Sequence, residues 1–417
     1  MLFPQLKVIT QLKNFLKLPQ HASANLYIIS VQHLLETTGS LFEAIIDAGF
    51  LPQNIYLTGK IYSTHQATSD RLRSLGVHVI PSSVPVKLGC YIEELEKDIT
   101  GMWALLNMRL TGASRVIILD DGGYTLKNVP DTVSKKCRVF GIEQTTSGIR
   151  MQSAFGKFPV IHLAASAAKV LIEPPIVSEA VQIQVGNSIR KLNPKTIGIV
   201  GYGHIGKAVA REFAPDYTIL VYDLNDEIDN DLVPGAIRCG SLSELYSRAE
   251  LIIGATGQDI SDLTWLTRSM ADKTLMSVSS GDIEFNTLLR NCEPYLNEEL
   301  KSPLQILNLI TQNGYRLKIL RGGMVANFTG TADSSPGHII QVTRGLLFSA
   351  VLQILRDHAR LENQFGPIML DPELQSKVVL SWFDDQPQRK MDYSQEILEG
   401  FQNPDWIKTH SAGVFIQ

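Results

Sequence analysis

Three glycines at a characteristic spacing are the clearest chemical signal in the sequence. Gly201, Gly203 and Gly206 complete a G-x-G-x-x-G pattern directly after the apolar run Thr196–Val200. In this pattern the first glycine allows a tight turn, the second lets the backbone approach a pyrophosphate, and the third lets a helix pack closely on a strand. The helix that follows would present its positive N-terminal amides to the phosphates. The stretch therefore predicts binding of a dinucleotide.

A carboxylate about 20 residues after the glycines indicates which dinucleotide is bound. The apolar run Tyr217–Tyr222 ends at Asp223, where a carboxylate can accept hydrogen bonds from an adenosine ribose. This acid favours NAD over NADP. The alternative is that the glycines only pack a strand-to-helix crossover. The predicted NAD-binding residues of this stretch are Gly201, Gly203, His204, Ile205, Gly206 and Asp223.

Small polar residues follow further apolar runs in the second half of the chain. Two of these runs are Leu251–Ala255 and Leu275–Val278, and a third such segment is Gly322–Asn327. Parallel strands bring their carboxyl ends to one edge of a sheet, and ligands bind there. We therefore expect these polar residues beside the cofactor, and the ones we assign to it are Thr256, Gly257, Ser279 and Asn327.

Candidate acid–base residues follow two predicted strands of the first half. His33 comes after the short strand Asn25–Ile29, at the entry to a helical pattern, and Asp120 and Asp121 come directly after Val116–Leu119. Capping of a turn alone would need only one aspartate. Because α/β proteins place chemistry in the loops after their strands, we expect His33 and Asp121 to be functional.

A lysine and a glutamate at helical spacing form a further candidate pair. Lys169 and Glu173 are four residues apart, and an exposed surface pair is the simpler alternative to a catalytic role. Pro174-Pro175 follow directly, and they are expected to break the preceding helix. By itself, the segment Gly141–Gly148 is typical of an ordinary polar loop.

Composition limits the classes of partner. The chain has 38 Lys and Arg against 42 Asp and Glu, so its net charge of −4 offers no basic surface for nucleic acid or an anionic membrane. The four cysteines include no C-x-x-C, and we expect neither a metal site nor disulfides. Residues 1–20 lack the continuous apolar core of a signal peptide, and the amphipathic run His338–Leu355 is shorter than a membrane span. We therefore expect a cytoplasmic protein that acts on a small molecule.

Strand-like and helix-like segments alternate along the chain, which is typical of parallel α/β domains. A length of 417 residues favours two or three domains. We predict an α/β protein of two domains, with a doubly wound, Rossmann-like NAD domain inserted in an α/β substrate domain. The predicted ranges are 1–177 for the first part of the substrate domain, 178–330 for the NAD domain, 331–365 for the return to the substrate domain, and 366–417 for a C-terminal docking segment with Trp406 and Phe415.

Four segments, taken in order along the chain, resemble the adenosylhomocysteinase family. They are Ile118–Gly123 (ILDDGG), Glu143–Gly148 (EQTTSG), Gly201–Lys207 (GYGHIGK) and the segment around Asn327. The resemblance implies a hydrolase in which bound NAD transiently oxidises the ribose 3′-hydroxyl of a nucleoside thioether, while acid and base groups move the protons. It also implies a homodimer or a homotetramer.

The resemblance assigns roles to matching positions, and it shows departures. The implied catalytic residues are His33, Asp121, Lys169 and Glu173, and the positions implied to contact substrate are Gln144, Ser280 and Ser335. The loop hydroxyls of Thr145, Thr146 and Ser147 stay compatible with NAD. Gln144 stands where the family has a carboxylate that binds ribose hydroxyls, and Ser280 stands where it has a histidine. We therefore expect an altered substrate, which is a nucleoside thioether or a related compound.

Three functions remain open on the sequence. The first is an enzyme of the adenosylhomocysteinase type with a changed substrate, and the second is a catalytically inactive NAD-binding protein that regulates or partners another enzyme. The third, which we rank below the others, is a 2-hydroxy acid dehydrogenase with two domains. That class uses an arginine and a histidine–acid pair presented by the cofactor domain, and Arg321 is unaccompanied near the corresponding region.

Overall fold

The computed structural model describes residues 2–13, 23–151 and 157–412. The chain divides into two compact units. The unit named here the split unit comprises Met1–Ser82, Leu95–Glu173 and Gly330–Gln417, and the inserted unit comprises Ser83–Glu94 and Pro174–Thr329. Of the predicted domain ranges, residues 1, 14–22, 152–156 and 413–417, including Phe415, lie outside the described residues. The chain has the predicted α/β fold, with one seven-stranded sheet in each unit.

The strands and helices alternate along most of the chain. The strands are β1 Leu26–Leu34, β2 Ile55–Thr64, β3 His78–Ile80, β4 Arg115–Asp120, β5 Arg138–Glu143, β6 Pro159–His162, β7 Thr196–Val200, β8 Thr218–Tyr222, β9 Ile237–Arg238, β10 Leu251–Gly254, β11 Lys273–Ser277, β12 Leu307–Ile310, β13 Arg316–Ile319 and β14 Gly366–Ile368. The helices are α1 Lys7–Leu12, α2 Glu36–Asp47, α3 Gln66–Ser74, α4 Tyr91–Asn107, α5 Tyr124–Lys127, α6 Asp131–Lys136, α7 Thr146–Arg150, α8 Ala167–Leu192, α9 His204–Phe213, α10 Leu242–Arg248, α11 Thr264–Thr267, α12 Asn286–Asn291, α13 Gly337–Leu361, α14 Pro372–Asp385, α15 Gln395–Gly400 and α16 Pro404–Ala412.

The sheet of the split unit has the strand order β14-β6-β5-β4-β1-β2-β3, and its described pairs are parallel. Strand β1 lies between β2 and β4, with Ile28 paired to both Ile55 and Ile117. These apolar side chains are fully buried, as expected for a parallel sheet covered on both faces. The chain order reverses at β1 and β4, and such a switch point is where open α/β sheets bind ligands.

The sheet of the inserted unit has the order β12-β13-β11-β10-β7-β8-β9. Its pairs are parallel except for the antiparallel pair of β12 and β13. Strand β7 lies between β8 and β10, with Gly198 paired to both Leu220 and Ile252. The switch point of this sheet is therefore at the carboxyl ends of β7 and β10, directly before the glycine-rich turn. This arrangement is Rossmann-like.

Two strands of the split unit are longer than the sequence predicts. Strand β1 runs to Leu34, so His33 lies inside the strand and not after it, and the next helix begins at Glu36. Strand β2 runs from Ile55 to Thr64, and it therefore contains Lys60. The apolar runs predict strands that end at Ile29 and, for the run Asn54–Thr58, at Thr58. Both predicted ends are wrong because the sheet continues to pair polar residues such as Gln32.

The two consecutive prolines do not break a helix, contrary to the prediction. Helix α8 runs from Ala167 to Leu192 with Pro174 and Pro175 inside it. Prolines remove backbone donors, which costs stability in a helix interior. Apolar side chains after the prolines, including Val181, pack in the core of the inserted unit and offset this cost.

Helix α13 is a core helix of the split unit. It has 25 residues, so the predicted shorter and amphipathic run is wrong on both counts. Every residue from Gln341 to Leu355 is buried, including Arg344. By length and composition α13 is able to span a membrane, but 89% of its apolar window is buried by the protein itself, as in a core helix. A cytoplasmic location stays a prediction.

Candidate functional site

The glycine-rich turn between β7 and α9 has the geometry needed for a close approach of phosphate. Gly201 has a φ of +91°, and a Cβ at this position would lie 2.9 Å from the backbone of Ala255. A Cβ at Gly206 would overlap the carbonyl oxygen of Gly201. Around Gly203, in contrast, nothing lies within 4 Å of the Cβ position. Because Gly203 directly precedes α9, this open space fits the pyrophosphate of NAD.

Asp223 follows β8 and braces the same turn. Its Oδ2 accepts a hydrogen bond from the backbone nitrogen of Tyr202 at 2.5 Å, and its Oδ1 accepts one from the nitrogen of Asn225 at 2.8 Å. A carboxylate oxygen can accept more than one hydrogen bond, so a ribose hydroxyl can still be bound. Of the other residues predicted for this stretch, His204 is exposed and Ile205 packs against the core.

A buried carboxylate that the sequence analysis missed binds two strand ends of the inserted unit together. Glu284 Oε1 accepts hydrogen bonds from the backbone nitrogens of Thr256 and Gly257 and from Ser279 Oγ, each at 2.6 Å. Burial raises the pKa of Glu284, although these hydrogen bonds oppose the rise. The polar groups predicted to contact the cofactor are thus held by Glu284, and their contact with NAD stays a prediction.

Two other predicted positions, Ser280 and Asn327, lie in this part of the chain. Ser280 is half-buried, and Asn327 is buried, with its Oδ1 bound to no described residue. Asp282, two residues after Ser280, accepts a hydrogen bond from the backbone nitrogen of Tyr91 at 3.1 Å. Burial raises the pKa of Asp282 to about 6.

In the split unit, the sheet brings His33 and Asp121 together at the switch point of β1 and β4. His33 Nε2 lies 3.1 Å from Asp121 Oδ2, and His33 Nδ1 lies 2.6 Å from Ser63 Oγ. Lys60 Nζ donates to Asp121 Oδ1 at 2.5 Å, and Gln144 Nε2 donates to Asp121 Oδ2. Three of the predicted site residues therefore meet, together with Lys60 and Ser63, which the sequence analysis did not single out.

Burial and charge determine the protonation states of this cluster. Burial alone would raise the pKa of Asp121, but Lys60 and His33 hold it well below its usual value. Burial lowers the pKa of His33, and the attraction of Asp121 offsets this only in part. At neutral pH the histidine is therefore neutral, and its Nε2 carries the proton because the carboxylate can only accept. The Nδ1 lone pair then accepts the hydrogen bond from Ser63.

The polar loop that the sequence presented after β5 is organised by Glu143. Its Oε1 accepts hydrogen bonds from the nitrogen of Thr145 at 2.7 Å and from Thr145 Oγ1 at 2.6 Å. Ser147 Oγ lies 3.2 Å from Thr145 Oγ1, while Thr146 is exposed. Burial and the neighbouring Asp120 raise the pKa of Glu143 well above its usual value. Contact of these three hydroxyls with NAD stays a prediction.

Lys169 and Glu173 form an ion pair that is not on the surface. Their side chains are only 11% and 17% exposed, so the simpler alternative of an exposed pair is wrong. Glu173 Oε1 also accepts a hydrogen bond from Thr343 Oγ1 of helix α13 at 2.9 Å. Ser335, the last predicted substrate position, is buried just before α13. A catalytic role for the pair stays a prediction.

The sequence held a signal for Lys60 that was not used. Apolar Ile61 and Tyr62 directly after Lys60 indicate that the strand continues past Thr58, and a lysine inside a buried strand needs a counter-charge such as Asp121. Ser63 and Glu284 carried no such signal, because their partners are distant in sequence.

Among the described residues, no group of three or more His, Cys, Asp or Glu is able to hold a metal ion.

A comparison with protein families matches residues 176–272 to the D-isomer specific 2-hydroxyacid dehydrogenase, NAD binding domain. This range contains the glycine-rich turn and Asp223. The inserted unit is therefore an NAD-binding domain, and NAD is its cofactor. The resemblance to the adenosylhomocysteinase family is corrected by this match, because the stretch that contains the glycine-rich turn matches the model of a dehydrogenase family. The hydrolase activity inferred from that resemblance is withdrawn with it.

Relatives and solved structures give further similarities. Two uncharacterized proteins of Mycobacterium tuberculosis, from strains CDC 1551 / Oshkosh and ATCC 25618 / H37Rv, are each 31% identical over 337 residues, which is 78% of this chain and 63% of the relative. The chain thus spans less than two thirds of their length. A 2-hydroxyacid dehydrogenase from Ketogulonicigenium vulgare Y25 is 12% identical with a TM-score of 0.35, covering 84% of this chain and 99% of that chain. A putative D-3-phosphoglycerate dehydrogenase from Ralstonia solanacearum is 13% identical with a TM-score of 0.34, covering 94% and 100%.

Proposed function

We propose that this chain is an NAD-dependent oxidoreductase that acts on a small hydroxy acid, of the class acted on by D-isomer specific 2-hydroxyacid dehydrogenases. The observation that carries the proposal is the family match over residues 176–272, in which the glycine-rich turn leaves open space at Gly203 and Asp223 braces the turn. The matched family is one of NAD-dependent dehydrogenases, so an enzyme is the expectation for this chain. The inactive NAD-binding alternative has no observation of its own that favours it.

Oxidation of a hydroxyl needs a group that takes its proton. NAD supplies the hydride acceptor when bound, so the protein must supply the proton acceptor. We assign this role to His33, whose lowered pKa keeps the ring neutral and whose Nε2–H is held by Asp121. Its Nδ1 is the basic atom, and the hydroxyl of Ser63 is in place to pass a proton to it.

The histidine–acid pair of this chain lies outside the cofactor domain. A histidine–acid pair was expected in the cofactor domain, and none was found there. The pair in this chain is His33–Asp121, and it lies in the split unit. We keep Gln144, Ser280 and Ser335 as proposed positions for substrate contact, and Lys169 with Glu173 as a second proposed acid–base pair. A homodimer or homotetramer is our proposal for the assembly, to be checked by light scattering.

The test uses the purified full chain with NAD and a panel of D- and L-2-hydroxy acids, followed by the absorbance of released NADH. We expect NADH from at least one D-acid and none from its L-enantiomer. His33→Gln should lower kcat by about 10²- to 10⁴-fold, the usual contribution of a general base. His410→Gln, at an exposed histidine of the same unit, is the matched control. Tight NAD binding without NADH from any hydroxy acid would count against the proposal.

A further inference from the structure

Two carboxyl groups are buried side by side at the carboxyl edge of the split unit's sheet. Asp120 ends β4 and Glu143 ends β5, and the two residues are direct partners across these parallel strands. Neighbouring strands lie about 4.8 Å apart, and residues paired in register project to the same face of a sheet. Asp120 is completely buried and Glu143 is 1% exposed. The two residues, named here the acid pair, are therefore neighbours in the interior.

Backbone and hydroxyl donors bind only one oxygen of each carboxyl group. Asp120 Oδ2 accepts a hydrogen bond from the nitrogen of Leu126 at 2.8 Å. Glu143 Oε1 accepts from the nitrogen of Gly122 at 3.3 Å and from both the nitrogen and the Oγ1 of Thr145. Asp120 Oδ1 and Glu143 Oε2 are buried and bound to no described residue. Each acid thus has one oxygen whose hydrogen-bonding capacity is unused.

No cation of the described chain is paired with either acid. Lys60 attracts Asp120, but its Nζ is bound to Asp121, and Asp121 adds negative charge beside both acids. His162 is the partner of Glu143 on its other side, on β6. Burial lowers the pKa of this histidine to about 4, so it is neutral at neutral pH. Two ionised carboxylates would be costly here, because each would be buried beside a like charge.

Charged side chains on the other elements packed against β4 and β5 are exposed or interact with different partners. They are His33 of β1, which is bound to Asp121, Lys127 of α5, which is bound to Glu96, the exposed Asp131, Lys135 and Lys136 of α6, and Arg344 of α13, which interacts with Asp333, Asp121 and Glu173. None of these groups compensates a second negative charge on the acid pair.

We propose that Asp120 and Glu143 share one proton, and that this proton is a switch that holds the loop Thr145–Gly148 in place. It forms a hydrogen bond between Glu143 Oε2 and Asp120 Oδ1. Glu143 Oε1 then accepts from Thr145, whose Oγ1 accepts from the nitrogen of Gly148 and caps α7. When the proton is released to water at alkaline pH, two carboxylates face each other, and their repulsion moves Glu143 away from the loop.

The direction of the pH dependence follows from the pKa shifts of the acid pair. Burial raises the pKa of Glu143 well above its usual value of 4.5, and repulsion from Asp120 adds to the rise. Burial also raises the pKa of Asp120. A raised folded-state pKa gives stability that is fully present below the usual value and is lost as the pH rises through the folded-state pKa. The loop should therefore be held below the folded-state pKa of Glu143 and released above it.

Infrared difference spectroscopy of the full chain tests the shared proton directly. A protonated carboxyl group has a carbonyl band that a carboxylate lacks. We expect the band of the wild type at neutral pH to disappear in Glu143→Gln. It should also disappear in Asp120→Asn, because the asparagine amide then donates to Glu143, which ionises. Glu373→Gln, at an exposed position of the same unit, should leave the spectrum unchanged.

Two infrared results would overturn the inference. If neither variant loses a carboxyl band, both acids are ionised in the wild type and share no proton. If only one variant loses the band, a single acid carries the proton without its partner. Neither measurement needs NAD or a hydroxy acid, so the result is independent of the proposed function.

Hydrogen exchange of the amides of Thr145–Gly148 tests the switch. After correction for the intrinsic exchange rate, their protection in the wild type should fall with rising pH, by up to about tenfold per pH unit, the limit for release of one proton. Glu143→Gln carries an NH2 group in place of the proton and keeps an oxygen for Thr145, so its protection should stay constant. The amides of Val139–Ile142 inside β5 are the internal control. Wild-type protection that does not change with pH, or an equal fall in Glu143→Gln, would overturn the switch.

Discussion

Lys60 Nζ lies 2.5 Å from Asp121 Oδ1, although both side chains are almost completely buried. The two residues are 61 positions apart, on β2 and directly after β4. Burial would lower the pKa of Lys60, but Asp121 raises it above its usual value, and Lys60 in turn helps to keep Asp121 ionised. The pair therefore fixes the charge of the carboxylate that orients His33.

Removing the Lys60 ammonium group should destabilise the fold, because the buried Asp121 carboxylate then has no cation paired with its Oδ1. We expect Lys60→Met to lower the free energy of unfolding by about 3–5 kcal/mol, measured by urea denaturation. Adding Asp121→Asn to this variant should restore a large part of the loss. Lys13→Met breaks the more exposed pair with Asp47 and should cost about 0–1 kcal/mol. Equal losses in the two lysine variants would contradict the buried-pair account.

The pair also predicts a dependence of stability on pH with a defined sign. The folded-state pKa of Asp121 is lowered, so its contribution is present above the ordinary value of 3.8 and is lost as the pH falls through the folded-state pKa. The pKa of Lys60 is raised above 10.5, so its contribution is present below that value and is lost as the pH rises through the folded-state pKa. The Lys60→Met variant should lack the loss at alkaline pH.

Asp282 should produce the opposite dependence in the acid range. Its pKa rises from 3.8 to about 6 on folding, so the folded state binds more protons in this window and stability falls as the pH rises through it. Two pKa units correspond to about 3 kcal/mol. Asp282→Asn, which keeps an acceptor for the nitrogen of Tyr91, should flatten the profile. Urea denaturation of both proteins at a series of pH values measures the difference, and parallel profiles would refute it.

Glu284 should support the cofactor site through the loops it holds. In Glu284→Gln one carboxylate oxygen becomes an NH2 group, which donates hydrogen bonds. Only one oxygen is then left to accept from Thr256, Gly257 and Ser279. We expect a loss of about 1–3 kcal/mol in stability and weaker NAD binding. Fluorescence titration with NAD and urea denaturation measure the two effects. Glu293→Gln, at an exposed position, is the control. Unchanged stability and unchanged NAD affinity in Glu284→Gln would show that the hydrogen bonds to Glu284 do not support the cofactor site.

Asp223 should set the affinity for NAD and the preference over NADP. Asp223→Ala removes the acceptor for the ribose hydroxyls and should weaken NAD binding by about tenfold, with a smaller effect on NADP. Calorimetric titration of both cofactors measures this, with the exposed Asp216→Ala as control. Equal losses for the two cofactors would mean that Asp223 only braces the backbone of Tyr202 and Asn225.

The features of the fold and site that could be predicted from the sequence are those that a local pattern of residues determines. The glycine-rich turn, β7 at Thr196–Val200, and Asp223 were found because turn, strand and acid follow one another in the chain. The site residues that were missed depend on distant partners. Lys60 and Asp121 are 61 positions apart, and Glu284 accepts from the backbone nitrogens of Thr256 and Gly257, which are 28 and 27 positions away. No periodicity records such contacts, so only the folded chain shows them.

The helices show a similar limit. Pro174 and Pro175 are local signals for a break, but packing on the inserted unit's core outweighs them in α8. The run His338–Leu355 was predicted to be amphipathic, whereas every residue of α13 from Gln341 to Leu355 is buried. The resemblance to the adenosylhomocysteinase family is wrong for a related reason. Short motifs that many NAD-binding proteins share do not determine the family of the whole chain.

Isotope transfer tests the central claim most directly. The full chain is incubated with NAD and a D-2-hydroxy acid that carries deuterium on the hydroxyl-bearing carbon, and the released cofactor is analysed by mass spectrometry. The account predicts that the deuterium appears in free NADH, and that Gly203→Val abolishes the transfer while Gly240→Val, at a position with ordinary contacts, retains it. Reduced cofactor without deuterium, or no reduced cofactor with any hydroxy acid, would contradict the account.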